Sequence, residues 1–285
     1  MFHIIWRGVA ATDLGIPNAW QALILGLVQG LTEFLPISST AHLRIVPAVL
    51  GWADPGASFS AVIQLGSLLA VLVYFWTDLT HLGQQSWQAI RQRDYQNDAL
   101  RVVLGIGVGT LPIVVAGLTI KLIWGSPPRQ LTVIALASIG LALLLAVAER
   151  YGKRQRDWQD LGFWDGIWVG LAEALALIPG VSRSGATLTA GLFCHLKRET
   201  AARYAFLLGI PALALAGIVE LVSDWQWTAL GSQLLGTLSA FVFSYLSIDF
   251  LLKFLQRSST YIFIIYRVLL GLAILLGLAT GLLNP

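Results

Sequence analysis

With 56% hydrophobic and only 12% charged residues over 285 positions, and a mean hydropathy of +0.75, the chain carries about half the charge share of a soluble domain, roughly 25%. That composition excludes a water-soluble globular enzyme. The net charge of +3, with no basic tract, gives no footing for nucleic acid, and the single cysteine, Cys194, excludes an internal disulfide or a cysteine cluster.

In chain order, residues 20–35 and 41–51 are apolar but short, and PISST separates them. Long apolar segments follow at about 58–76, 102–124 and 132–149. The order then repeats: residues 164–178 and 186–195 are short and separated by PGVSRSG, and long segments follow at about 201–223, 233–252 and 261–283. A helix of about 20 apolar residues crosses a bilayer core, whereas shorter segments more often re-enter. Only a helix or a closed barrel satisfies its backbone in lipid. The spacing therefore predicts an all-α polytopic membrane protein, one domain over 1–285. Its two inverted repeats, about 20–149 and 164–283, each consist of one re-entrant helix-loop-helix plus three transmembrane helices. No cleavable signal peptide is expected, because the first nineteen residues lack a basic stretch followed by an apolar core.

Laid over one another, GLVQGLTEFLPISST (26–40) and GLAEALALIPGVSRS (170–184) put Gly26 on Gly170 and Gln29 on Glu173. Pro36 and Pro179 fall one residue out of step, and hydroxyl residues follow each. An odd number of crossings per repeat inverts the second copy, and paired interruptions in inverted repeats point to a midplane binding site. The stretches 77–101, 150–163, 197–203 and 253–260, read as loops, hold twelve of the 18 Lys and Arg, while the opposite side holds only Arg7 and Arg129. The positive-inside rule places the first group in the cytoplasm. Both termini are then outside, and the two broken segments enter from opposite faces.

Each break gathers chemistry. In the first, Gln29 and Glu33 share a helix face at i and i+4, and Pro36 ends the helix. Ser38, Ser39 and Thr40 can cap the next half-helix, whose free N–H groups favour an anion. His42 lies within its first turn. In the second break, Pro179 and Gly180 end the half-helix carrying Glu173. Ser182, Arg183, Ser184 and Gly185 follow, and Thr187 is read as opening the next half-helix. A guanidinium forks onto phosphate oxygens, and flanking glycines let backbone approach an anion. The plainer readings are ordinary serine caps at Ser38 and Thr40, a helix-bonding role for Gln29, and a structural ion pair between Glu33 and Arg183. Ionisable groups at membrane depth are costly, however, and by default functional. Gln64 reads as a packing or supporting residue; Arg267 reads as snorkelling or neutralising a carboxylate. His3, His81 and His195 fall in terminal or loop contexts.

QGLTEFLPISSTAHL (29–43) and LIPGVSRSGAT (177–187) resemble the paired signatures of the bacterial undecaprenyl-diphosphate phosphatases, the bacitracin-resistance family. FSAVIQLGSLLAVLVYF (59–75), AARYAFLLGIPALA (201–214) and the stretch 240–271 are similar too. The resemblance implies a membrane hydrolase that removes the terminal phosphate of undecaprenyl diphosphate. The product, undecaprenyl phosphate, is the lipid carrier of peptidoglycan and other envelope polymers. It implies a divalent cation, Mg²⁺ or Ca²⁺, a site open to the periplasm of the bacterial inner membrane, and bacitracin acting on the lipid substrate rather than on the protein. The family's essential acid falls on Glu33, its serine on Ser39 and its histidine on His42; its second signature falls on Ser182, Arg183, Ser184 and Thr187. Two positions depart from the usual pattern: Gln29 stands where Glu is common, and Glu173 where Gln is common. If those side chains meet at the midplane, Gln29, Glu33 and Glu173 together form the candidate cation set.

The expected mechanism follows the charges. Arg183, the half-helix N-termini and the cation compensate the diphosphate, and Ser38, Thr40, Ser182, Ser184, Gly185 and Thr187 contribute to binding it. Glu33 holds the cation or deprotonates the nucleophile, which is either Ser39 or water. His42 is the alternative activator, or protonates the leaving oxygen. A rival from another class shares the architecture: a prenyl-phosphate flippase or anion transporter. A homodimer is compatible with the sequence, which does not fix oligomeric state.

Overall fold

The computed structural model describes residues 17–124, 129–223 and 230–283; Arg7 and His3 lie outside them. The described residues form eleven α-helices. They are α1 (Ala19–Phe34), α2 (Ser39–Leu50), α3 (Gly56–Tyr74), α4 (Trp76–Gln92), α5 (Asp98–Trp124), α6 (Leu131–Tyr151), α7 (Phe163–Ala174), α8 (Arg183–Phe193), α9 (Arg198–Ser223), α10 (Leu230–Arg257) and α11 (Tyr261–Ala279). Six of them, α3, α5, α6, α9, α10 and α11, are long and apolar enough to cross a membrane. Their outer faces expose large apolar side chains, such as Leu111, Val115, Leu118 and Leu122 on α5 and Leu269, Leu272 and Leu276 on α11. Water would not tolerate that surface, and lipid requires it.

Helices α1, α2, α7 and α8 have 16, 12, 12 and 11 residues. At a rise of about 1.5 Å per residue none spans a core of about 30 Å. Asn18 caps α1 in a reciprocal box with Gln21, and α1 ends where Leu35, preceding Pro36, turns extended. A 3-10 turn, Leu175–Leu177, follows α7 before Pro179.

Helix pairing repeats between the two halves. α1 packs chiefly on α10 and α7 chiefly on α5, while α3 meets α9 and α6 meets α11. The first two crossings are close because glycine lines them. A Cβ on Gly26 would lie 2.2 Å from the Gly236 carbonyl oxygen, and one on Gly170 would lie 2.0 Å from that of Gly109. The residues that align in sequence thus make equivalent backbone contacts. Gly170→Ala forces α7 away from α5 and is expected to cost about 1–3 kcal/mol. A lowered Tm in detergent checks this, and an unchanged Tm would contradict the tight crossing.

Three of the stretches expected as loops are largely helical: 198–203 opens α9, 253–257 ends α10, and 77–101 is the third. The stretch 77–101 is not a simple loop, because α4 occupies most of it. Leu82, Ser86 and Ala89 recur at i, i+4 and i+7 as its buried stripe, while Trp76, Trp87, Ile90 and His81 are exposed. This amphipathic pattern suits a helix lying at the membrane interface; counting basic residues locates a side, not a secondary structure.

The basic stretches do meet at one end of the bundle. Glu149 is buried and bonded by Arg154, Arg198 and Thr260, and Arg203 reaches Asp78 from α9 to α4. Lys197 reaches Asp157 at 2.5 Å. With the Trp158 N–H and the Thr200 hydroxyl, it holds the Asp157 carboxyl down to about 2. At the opposite end Arg44 and Arg129 share Asp54.

Candidate active site

The two breaks adopt the same unusual conformation. Ser38 and Ser182, which align in sequence, have φ of +75° and +70° and ψ of 98° and 115°. A non-glycine residue in the left-handed region is held there only by its surroundings. Each serine then caps a half-helix, Ser38 accepting from the Ala41 N–H and Ser182 from the Gly185 N–H. The caps place Ser39 and Arg183 at equivalent positions, the first of α2 and the first of α8. This corrects the expected start of the second half-helix: it opens at Arg183, not at Thr187. Thr187 is buried inside α8 and bonds the carbonyls of Arg183 and Ser184.

Glu33, in the last turn of α1, lies between those two residues. Its Oε2 accepts from Ser39 Oγ at 2.6 Å and from Gln29 Nε2 at 2.8 Å. Its Oε1 accepts from Arg183 Nη2 at 2.6 Å and from Gln64 Nε2 at 3.4 Å. Ser184 Oγ donates to the carbonyls of Glu33 and Leu35, and lies 3.2 Å from Ser182 Oγ. Helix ends 150 residues apart in sequence are thereby joined through one carboxylate. Gln64, read only as support, bonds that carboxylate directly.

Glu33, Ser39, Gln29, Gln64 and Arg183 line a cavity of about 300 Å³ with Ser38, Thr40 and Ser182. Its walls include Ile113, Leu177, Ala212 and Leu213, and Ala57, Ser60 and Arg129 also line it. The N-termini of α2 and α8 adjoin this space, which suits an anion.

Five expected residues do not line the cavity: Ser184, Gly185 and Thr187, which are buried in α8, and His42 and Glu173. His42 Nδ1 meets the Ser38 carbonyl at 2.8 Å and its Nε2 meets the Tyr266 hydroxyl at 2.6 Å. The ring stacks on Tyr266, so among the described residues Ser39 is bonded by Glu33 and not by the imidazole. Glu173 is fully buried in α7, outside the cavity lining, and both its carboxylate oxygens lack a partner among the described residues. It lies within Coulombic reach of Arg183, but the exchange of Gln29 and Glu173 does not put a second carboxylate into the cavity.

Arg267 departs from both roles expected of it. It neither snorkels nor neutralises a carboxylate: it is fully buried and donates to the carbonyls of Pro36, Ser138, Gly180 and Val181. One guanidinium thus ties the first break, the second break and α6 together. Gly185 leaves room for it, since a Cβ there would lie 2.7 Å from Arg267 Nη1. The one signal in the sequence was an arginine six residues inside an apolar span.

The oxygens near Glu33 available to a cation are its own carboxylate, the serine hydroxyls and the amide oxygens of Gln29 and Gln64. The nitrogens of those amides donate to Glu33, while the Arg183 guanidinium shares that carboxylate. Among the described residues no three His, Cys, Asp or Glu side chains cluster. Such a set fits a hard cation that takes its remaining ligands from phosphate, and it does not fit a cage made of protein alone.

Comparison with known proteins finds relatives over nearly the whole chain. The undecaprenyl-diphosphatase of Synechococcus sp. (strain JA-2-3B'a(2-13)) is 69% identical over 273 residues, covering 96% of this chain and 99% of the relative. That of Synechococcus elongatus (strain ATCC 33912 / PCC 7942 / FACHB-805) is 53% identical over 284 residues, 97% of this chain and 99% of the relative. That of Trichormus variabilis (strain ATCC 29413 / PCC 7937) is 55% identical over 275 residues, 94% of this chain and 86% of the relative. The family model described as bacitracin resistance protein BacA matches residues 22–273, which take in both breaks, five of the six long apolar helices and α11 as far as residue 273, and the chain belongs to that family.

Proposed function

We propose that this multi-pass membrane protein is an undecaprenyl-diphosphatase, releasing inorganic phosphate from undecaprenyl diphosphate to regenerate undecaprenyl phosphate. The observation that carries the chemistry is the Ser39–Glu33–Arg183 constellation, a hydroxyl and a guanidinium each 2.6 Å from one carboxylate. Ser39 Oγ attacks the terminal phosphorus and passes its proton to Glu33 Oε2. The bond from that phosphorus to the bridging oxygen breaks, and undecaprenyl phosphate leaves. Protonation of Glu33 loosens its hold on Arg183, so the guanidinium turns to the transferring phosphoryl oxygens when their charge is greatest. Glu33 returns that proton to the bridging oxygen of the departing undecaprenyl phosphate. The regenerated carboxylate then takes a proton from water, which attacks the phosphoserine, and gives it to Ser39 Oγ as the bond from phosphorus to that oxygen breaks and inorganic phosphate leaves. His42 has a supporting part in this scheme: it braces the Ser38 carbonyl through Tyr266.

A divalent cation, Mg²⁺ or Ca²⁺, would be held by Glu33 with the amide oxygens of Gln29 and Gln64, and would neutralise part of the diphosphate charge. Glu173 is left out of this set, because it does not line the cavity. The repeated helix pairing and the twin strained serines support the inverted-repeat reading. The clustering of basic residues at one end supports an orientation in the plasma membrane with that end cytoplasmic. Arg129 and the start of α3, at the other end, line the cavity, which favours an opening away from the cytoplasm.

The broken helices paired across the two halves also suit a lipid flippase or anion transporter. Purified protein in detergent separates the two readings: the phosphatase releases phosphate and EDTA suppresses the release, whereas a pure transporter releases none. After acid quench, ³²P from terminally labelled substrate is expected on the wild type and not on Ser39→Ala. Ordinary turnover by Ser39→Ala would eliminate the covalent route and leave water as the nucleophile.

A further inference from the structure

One end of the cavity carries positive charge that the Ser39–Glu33–Arg183 constellation does not use. Asp54, between α2 and α3, lies 3.4 Å from Arg129 Nη1 and 3.5 Å from Arg44 Nε. It also accepts from the Gly56 N–H at 3.1 Å. One carboxylate shared by two guanidiniums leaves the cluster with a net positive charge.

Arg129 is the member that lines the same cavity as Glu33 and Ser39, with its side chain only 16% exposed. Its Nη1 is taken by Asp54, but its Nε and Nη2 are buried and have no partner among the described residues. Those two N–H groups form one edge of the guanidinium, the edge that gives parallel hydrogen bonds to a phosphate or carboxylate. Burial lowers the pKa of Arg129 from the usual arginine value, Asp54 opposes that fall and Arg44 adds to it. The group is short of negative charge, and buried donors without partners are costly. An anion in the cavity remedies both.

We propose that Arg129 is a phosphate-binding residue at the outer end of the cavity. Its Nε–Nη2 edge takes oxygens of the headgroup phosphate that Ser39 does not attack, while Arg183 takes the one that it does. This rests on the phosphatase reading above. Two arginines lining one cavity suit a diphosphate, which can present a phosphate to each. The same edge recognises the oxygens of free phosphate, so the product is the other source of the ligand.

The test compares wild type, Arg129→Gln and Arg129→Lys in detergent. It measures KM and kcat for undecaprenyl diphosphate, and the inhibition constant of inorganic phosphate. Arg129→Gln is expected to raise KM about tenfold or more with a smaller change in kcat, since a charge-assisted pair made in the bound substrate is lost. Arg129→Lys, which keeps the charge and loses the fork, is expected to fall between. A rise in the phosphate inhibition constant with KM unchanged overturns the assignment to the unattacked phosphate, because the released phosphate is the one that Ser39 attacks. Wild-type values of both constants in Arg129→Gln overturn the proposal. If that variant is not monodisperse, Arg129→Lys decides in its place, and wild-type constants there overturn it equally. A wild type that releases no phosphate refutes the phosphatase reading instead, so the two failures are distinct.

Discussion

Replacing Glu33 by Gln lowers kcat for phosphate release by about 10²–10⁴-fold, the range expected for a lost general base. The change is nearly isosteric, so volume and helix propensity hold. The hydrogen bonding does not, because Glu33 accepts from four donors, two on each oxygen. Glutamine offers one acceptor oxygen and one NH₂. If the oxygen faces Arg183, the NH₂ meets Ser39 and Gln29, and Ser39 loses the group that takes its proton. If it faces Ser39, the NH₂ abuts a guanidinium that can only donate, and an amide is far too weak a base in either pose. Arg183 also loses its counter-charge, and breaking a buried pair in this way typically costs about 3–5 kcal/mol. That cost falls on the free enzyme and is relieved when phosphate arrives, so KM is expected to hold or fall while kcat collapses. Steady-state kinetics on the detergent-purified variant reads both constants. A kcat near that of the wild type would remove Glu33 from the chemistry.

Much of this architecture is legible in the sequence, for reasons that differ by residue. The six long helices follow from apolar length alone, because lipid imposes one rule on every span. The breaks are legible because Pro36 and Pro179 stop helices locally and Ser38 and Ser182 restart them locally. The alignment of Gly26 with Gly170 is legible in the sequence, but the twin crossings are not, because each needs the facing backbone of Gly236 or Gly109. Glu33, Ser39 and Arg183 were found as expensive or reactive groups in a setting that tolerates few. The failures are tertiary. Whether His42 reaches Ser39 depends on the rotation of α2 against α11, which places Tyr266 on its Nε2. Whether Glu173 enters the cavity depends on how α7 turns against α5 and α9, and no local pattern reports that. Helix α4 was hidden by its polar residues, chiefly glutamine and threonine, which outweigh a stripe of three small or apolar residues.

Arg267→Leu is the second substitution with a large expected effect, and it acts without touching substrate. Leucine fills much of the volume and removes a charge that is costly to bury, a gain in isolation. It also leaves the carbonyls of Pro36, Ser138, Gly180 and Val181 without the donor they share, at about 1–3 kcal/mol for each that finds no substitute. The losses exceed the gain, so Tm in detergent is expected to drop. The geometric consequence is larger still. Pro36 lies three residues before Ser39, and Val181 lies two before Arg183, so the guanidinium clamps the chain just ahead of both reacting groups. Released, the two breaks can shift by an ångström, and misplacement of that size costs about 10²-fold in rate. Arg267→Lys separates clamping from charge, because an ammonium keeps the positive charge but cannot spread its donors across four carbonyls. If charge alone mattered, lysine would restore kcat; on the clamp reading kcat stays at least tenfold below the wild type, even in a lysine variant whose Tm has recovered. A lysine variant with wild-type kcat would show that the two breaks hold their spacing without it.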